Sequence, residues 1–141
     1  LPHSLQVSSD MICGLPEILR EGQGLFSATG GAHAIALVDA SGKLVMRCED
    51  VGRHNAMDKL LGAMLRKNAL PLHQHIAVFS GRLGYELAQK SLVGGIQILC
   101  SIGAPSSAAL ELAEAHGMTV CGFVRPDGFN LYCGAERIIY T

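Results

Sequence analysis

The sequence predicts an α/β domain of three layers, in which helices pack on a mixed, mostly parallel sheet. Three observations point there. Past a hairpin pattern, helical and strand periodicities alternate, as β-α-β units require. The strand segments are near-continuous apolar runs, typical of a sheet buried on both faces. The 17 glycines of the 141-residue chain recur at the ends of those runs, where turns need φ > 0.

Residues 1–24 read as a mixed lead-in, and residues 25–141 as the α/β core of a single domain. In the lead-in, Asp10 is placed to cap a short helix through Arg20, weakened by Gly14 and Pro16. AHAIALV (32–38) and KLVMRC (43–48) flank the turn Asp39-Ala40-Ser41-Gly42, a hairpin signal. From Gly52 to about Lys67 a helix places Met57, Leu60, Leu61, Met64 and Leu65 on one stripe. HIAVFS (75–80) is a buried strand, followed by a helix from Arg82 to about Val93 and a strand at IQILCSI (96–102). Pro105 suits the first turn of a helix to Ala115. MTVCGFV (118–124) and FNLYC (129–133) complete the strands.

A hydrophobic content of 49% with 16% charged residues describes a compact globule. A chain of this size buries roughly 70% of its unfolded surface. A net charge of −1 opposes bulk attraction to nucleic acid or to an anionic membrane. No apolar run is long enough for a membrane helix. Cys13, Cys48, Cys100, Cys121 and Cys133 include no C-x-x-C pair, which excludes a local dithiol or a zinc knuckle and suits a reducing cytoplasm. The start at Leu1, without a Met or a signal-peptide pattern, raises the expectation of further residues upstream.

Ligands of such sheets sit beyond the carboxyl ends of the strands, where helix N-termini also point. The junctions there read Glu49-Asp50-Val51-Gly52-Arg53-His54-Asn55, Ser80-Gly81-Arg82, Gly103-Ala104-Pro105-Ser106-Ser107 and Arg125-Pro126-Asp127-Gly128. Three of the four carry an arginine beside glycine or a small residue. Each has an ordinary explanation. Asp50 serves as an N-cap, or Asp50, His54 and Asp58 form a solvated face at i, i+4, i+8; Arg82, Glu86 and Lys90 form a surface ladder at the same spacing. Thr29-Gly30-Gly31 before His33 fits a tight turn, and His33 a core histidine. The combination is harder to dismiss. If Asp50 caps, the N3 position preferred by Glu or Gln holds Arg53, and Arg82 repeats the anomaly one helix later. Two first-turn arginines point to a local site for a phosphate-bearing ligand. The zinc-deaminase signatures, the G-x-S-x-G elbow, the Walker loop and G-x-G-x-x-G are all absent.

TGGAHAIAL (29–37), EDVGRHNAMDKLLG (49–62), SGRLGYELAQKS (80–91), APSSAALELAE (104–114) and GFVRPDGFNLY (122–132) together resemble, in order, the blocks of the FdhD/NarQ family. The resemblance implies a cytidine-deaminase-like fold and a cytoplasmic protein, usually homodimeric. It implies an accessory sulfurtransferase that carries sulfur from a cysteine desulfurase to the molybdenum or tungsten cofactor of formate dehydrogenase. The implied ligand is the molybdenum bis(molybdopterin guanine dinucleotide) cofactor, with GDP as a surrogate and no zinc. Phe123, Val124, Arg125, Pro126, Asp127 and Gly128 match the family's cofactor-binding stretch. Thr29, Gly30, Gly31, His33, Asp50, Arg53, His54, Asn55, Ser80, Arg82, Glu86 and Lys90 match blocks expected to border the same pocket. Arg53, Arg82 and Arg125 are expected at phosphates, His54 and Asn55 at orientation. The family's persulfide cysteines lie in a C-x-x-C motif upstream of TGGxH, and this chain has no such motif. It is therefore expected to bind the cofactor without a sulfur-carrying cysteine of its own. The alternative is a nucleotide or molybdopterin chaperone with no covalent chemistry.

Overall fold

A computed structural model of the chain describes residues 5–21 and 33–140. The elements are β1 (Val7–Ser8), α1 (Ser9–Glu21), β2 (His33–Asp39), β3 (Leu44–Asp50), α2 (Arg53–Arg66), β4 (His75–Phe79) and α3 (Tyr85–Val93). They continue with β5 (Ile98–Ser101), α4 (Ser107–Ala115), β6 (Thr119–Arg125), β7 (Gly128–Cys133), a 3-10 turn (Ala135–Arg137) and β8 (Ile138–Ile139).

Among the described residues, six strands form one sheet in the order β3-β2-β4-β5-β6-β7. The central pairs β4–β5 and β5–β6 are parallel; β2–β3, β2–β4 and β6–β7 are antiparallel. The sheet is thus mixed, with its parallel part at the centre, where strands buried on both faces read as unbroken apolar runs. Ile76, Ala77, Val78 and Phe79 are all essentially inaccessible.

Alternate residues of the strands serve two cores. Ile35, Leu37, Ala77, Phe79, Leu99 and Val120 meet α2, α3 and α4 on one face. Ala34, Ala36, Val38, Ile76, Val78, Ile98 and Cys100 meet α1 on the other. That is the three-layer arrangement the sequence predicts. Helix α1 forms across Pro16 because Ile12, Leu15, Pro16 and Leu19 still make one buried stripe. Its first turn is held by Ser8, whose Oγ accepts the Met11 N–H at 3.1 Å, and not by Asp10. On α2 the buried stripe is Ala56, Met57, Leu60 and Met64. Leu65, expected on it, is 65% exposed, because the stripe turns away from the sheet at its end.

The short β1–β8 sheet and the tail that carries β8 have no counterpart in the sequence reading. The tail is pinned by Arg137, which is fully buried and donates to Gln97 Oε1 (3.1 Å), the Gly117 carbonyl (2.7 Å) and Thr119 Oγ1 (3.2 Å). A buried guanidinium requires such a set of acceptors.

Candidate functional site

Strand β3 runs two residues further than the hairpin pattern indicates, so Asp50 ends a strand opposite His33. Asp50 therefore does not cap α2. Its Oδ1 accepts the Gly52 N–H at 3.0 Å and its Oδ2 pairs with Lys59 Nζ at 2.7 Å. These bonds, with one from the Asn55 side chain, hold the carboxyl below its ordinary pKa. The N-cap is Gly52, with no side-chain cap, and Arg53 is the first helical residue.

The next helix differs from expectation in the same way. It starts at Tyr85, so Arg82 lies in the loop that precedes it and not in its first turn. Its N-cap, Gly84, again supplies no side chain. Helix α4 is the contrast: it starts at Ser107, two residues beyond Pro105, and Ser106 Oγ accepts the Ala109 N–H. The N-termini of α2 and α3, capped by glycine alone, and that of α4, capped by Ser106, border the cleft where Arg53 and Arg82 meet. That cleft, of about 250 Å³, is completed by Leu83, Gly84, Ala104, Pro105 and Ser106. Neither arginine side chain has a hydrogen-bond or ion-pair partner among the described residues.

The remaining candidates divide. His33, Ser80 and Gly81 line a crevice that Arg53 and Arg82 close. Ser80 Oγ accepts the Ala34 N–H at 2.9 Å, which fixes the end of β4 against β2. His54 and Asn55 border an adjoining hollow with Gly52. His54 Nδ1 lies 3.1 Å from Glu86 Oε2, and Lys90 pairs with Asp58. The expected ladder of Arg82, Glu86 and Lys90 along one helix is therefore absent. Glu86 and Lys90 reach across to α2, and these half-exposed pairs each contribute at most about 1 kcal/mol. Lys90 lines a separate groove between α2 and α3 with Leu61 and Val93.

Phe123, Arg125, Asp127 and Gly128 line a second, more open cleft of about 530 Å³ at the β6–β7 hairpin. Pro126 sits exposed at its turn. Val124 departs from the expected ligand-binding stretch: it is 1% exposed and packs under α1, with no face toward the cleft. The Phe123 N–H donates to the Gly103 carbonyl at 3.2 Å, which ties the end of β6 to the segment before α4. Thr29, Gly30 and Gly31 lie outside the described residues.

Burial raises the pKa of Cys13, Cys48 and Cys133 above the ordinary 9.0. Cys100 is raised further, first by its hydrogen bond with Cys121 and then by burial. Among the described residues no group of three His, Cys, Asp or Glu side chains could hold a metal ion, and no helix is long and apolar enough to cross a membrane.

The sequence profile of the FdhD/NarQ family matches residues 1–139. The chain belongs to the FdhD/NarQ family. The sulfur carrier protein FdhD of Sulfolobus acidocaldarius is 48% identical over 138 residues, covering 98% of this chain and 54% of that protein. That of Nocardia farcinica is 45% identical over 136 residues, covering 96% and 49%. The chain thus spans about half the length of the curated FdhD relatives it matches. A crystal structure from Desulfotalea psychrophila, of a protein assigned as a formate dehydrogenase accessory protein, superposes with a TM-score of 0.86 at 32% identity, covering 96% of this chain and 57% of that one. A guanine deaminase of Nitrosomonas europaea superposes with a TM-score of 0.62 at 17% identity, covering 87% and 81%. At that identity the likeness concerns the fold alone, and it agrees with the deaminase-like architecture expected of an FdhD/NarQ protein.

Proposed function

We propose that this chain is the cofactor-binding part of a cytoplasmic sulfur carrier protein that serves formate dehydrogenase maturation. Its cargo is the molybdenum bis(molybdopterin guanine dinucleotide) cofactor, held through its phosphates. In the whole protein a cysteine desulfurase supplies the sulfur, formate dehydrogenase receives the cofactor, and two copies of the chain form a homodimer. Family membership supports the assignment, and one observation carries the binding site: two unpartnered arginines beside two glycine-capped helix N-termini.

The chemistry of that cleft suits a phosphate chain. Uncapped N–H groups and guanidinium forks both favour an oxyanion. The nearby carboxylates are already committed, Asp50 to Lys59 and Glu86 to His54, so an incoming anion meets little competition. The cargo brings the sulfur-accepting metal; the residues of this chain bind and orient it. The hairpin cleft around Phe123, Arg125 and Asp127 takes the part of the cargo beyond the phosphates.

Titration calorimetry with GDP tests the binding. The domain should bind GDP, Arg82→Ala should weaken it about tenfold at constant fold, and absence of GDP affinity in the wild-type domain would sink the claim. The lack of a C-x-x-C pair in this sequence favours a second reading, a binding module with no covalent chemistry. Incubation of the whole protein with a cysteine desulfurase and cysteine separates the two: the carrier gains a persulfide and the module gains none. A persulfide recovered on a cysteine of this chain would refute the module; none is expected here.

A further inference from the structure

Two thiols face each other at the centre of the sheet. Cys100 on β5 and Cys121 on β6 are register partners in a parallel pair, so their Cα atoms stand one strand spacing apart, about 4.8 Å. Both side chains enter the core beneath α1, and both residues are fully buried. The two thiols are close enough to hydrogen-bond to each other. A disulfide joins Cα atoms about 4.4–6.8 Å apart and needs Cβ vectors that do not diverge. Register partners on one face of a sheet meet both conditions.

The other thiols stand apart from this pair. Cys48 and Cys133 pack on the opposite face of the sheet, with the core that α2, α3 and α4 cover. Cys13 lies on α1, on the same side as the pair, and is half-exposed. Beyond Cys100 the chain reaches Gly103 and the wall of the arginine cleft. Beyond Cys121 strand β6 bulges: its pairing with β7 shifts between Gly122 and Arg125, and Phe123 takes the left-handed φ of +50°. The bond from the Phe123 N–H to the Gly103 carbonyl joins these two strand ends. A covalent link between Cys100 and Cys121 would therefore fasten both strands just before they feed the clefts.

We propose that Cys100 and Cys121 are a redox-sensitive modification site, which a peroxide converts to a disulfide and small thiols restore. A peroxide is small enough to enter when α1 opens locally, and Pro16 leaves that helix one backbone donor short. One thiol attacks the peroxide: an S–O bond forms, the O–O bond breaks and one water leaves, giving a sulfenic acid. The second thiol attacks the sulfenic sulfur: the S–S bond forms, the S–O bond breaks and a second water leaves. The two sulfurs together lose the two electrons that the peroxide gains. Two small thiols reverse the step by exchange and depart as their own disulfide. The hydrogen bond with Cys121, and then burial, raise the Cys100 pKa, so the pair stays reduced until an oxidant persists. The site does not depend on what either cleft binds.

Hydrogen peroxide at low molar excess tests it, followed by alkylation of the remaining thiols after denaturation. Digestion with a glutamate-specific protease then reads the bridge, because Glu111 and Glu114 lie between the two cysteines. A linked pair of peptides carrying Cys100 and Cys121 is expected, and dithiothreitol should separate it. The oxidised protein should melt about 5–10 °C higher, since a bridge that fits the native strands restricts mainly the unfolded chain. Its Phe123 amide should exchange more slowly. Cys13→Ser should leave the link and the rise in Tm unchanged, and Cys121→Ala should abolish both. Recovery of Cys100 and Cys121 in alkylated form, a link formed through Cys13 instead, or a linked protein that melts no higher than the reduced one would overturn the proposal.

Discussion

Arg53→Ala separates binding from folding, because the two should move in opposite directions. The perturbation removes a cation from the first residue of α2, whose N-cap is glycine and whose first turn contains no acidic side chain. A cation there opposes the helix dipole by about 0.3–1 kcal/mol, and alanine is the better helix former by a few tenths. No ion pair is lost with the guanidinium, since Arg53 has none among the described residues. The variant should therefore be more stable by about 0.5–1 kcal/mol, raising Tm by about 1–4 °C for a chain of this length. Binding should fall. A charge-assisted hydrogen bond to phosphate is worth about 1.5–3 kcal/mol, and the exposure of Arg53 places it at the low end, so GDP affinity should drop about tenfold. The drop should shrink as salt is raised. Calorimetric melting and GDP titration on the same preparation provide both readings. A lower Tm would show that Arg53 has a structural role the geometry does not reveal. Unchanged GDP affinity at a raised Tm would show that the cleft is not an anion site.

Other expected outcomes concern the frame around the site. Arg137→Ala should cost about 3–5 kcal/mol in urea unfolding, because it leaves Gln97 Oε1 and the Gly117 carbonyl buried without their donor. Gly134→Ala should destabilise by about 3 kcal/mol: φ is +75° and the added Cβ would lie 2.5 Å from Thr119 Cα, which is backbone and cannot yield cheaply. The carboxyl of Asp50 has a lowered pKa, so its contribution is present above its ordinary 3.8 and lost as pH falls through the folded value. Asp50→Asn should accordingly flatten the acid limb of a stability–pH profile below about pH 4, and an unaltered limb would show that the Lys59 pair is not formed in solution.

Alternation of apolar runs and helical stripes was legible because the central strands are buried on both faces and the helices on one. The parallel centre, the hairpin and three helices follow from those periods. The boundaries did not follow, and they decide the chemistry. Asp50 and Arg82 were assigned to helix starts on residue type, whereas β3 extends through Asp50 and α3 begins three residues after Arg82. A capping carboxylate and a strand-end carboxylate look alike in sequence; the ion pair with Lys59, nine residues on, distinguishes them only in space. Arg137 escaped notice for a related reason. A lone arginine near a chain end reads as solvated, and its acceptors on Gln97, Gly117 and Thr119 come from segments 18–40 residues away.

The β6 bulge shows where pattern reading stops and where a signal was nevertheless available. In MTVCGFV the apolar run is continuous, so no period marks a change of face. Yet an isolated glycine inside a strand pattern often marks a bulge or a close backbone approach. Gly122 does both here, since Pro105 and the Tyr132 ring crowd the place of its Cβ and the pairing shifts immediately after it. Had the run been read as broken at Gly122, Val124 would have been assigned to the core and Phe123 and Arg125 to the opening. The resemblance carried all six residues of 123–128 as one stretch. The fold divides them, leaving Phe123, Arg125 and Asp127 to line the hairpin cleft and Val124 to anchor the strained turn in the core. A core residue between two cleft residues is what holds the bulge in place, so Val124→Ala should cost about 2 kcal/mol in urea unfolding, and an unchanged midpoint would show that the anchor is dispensable.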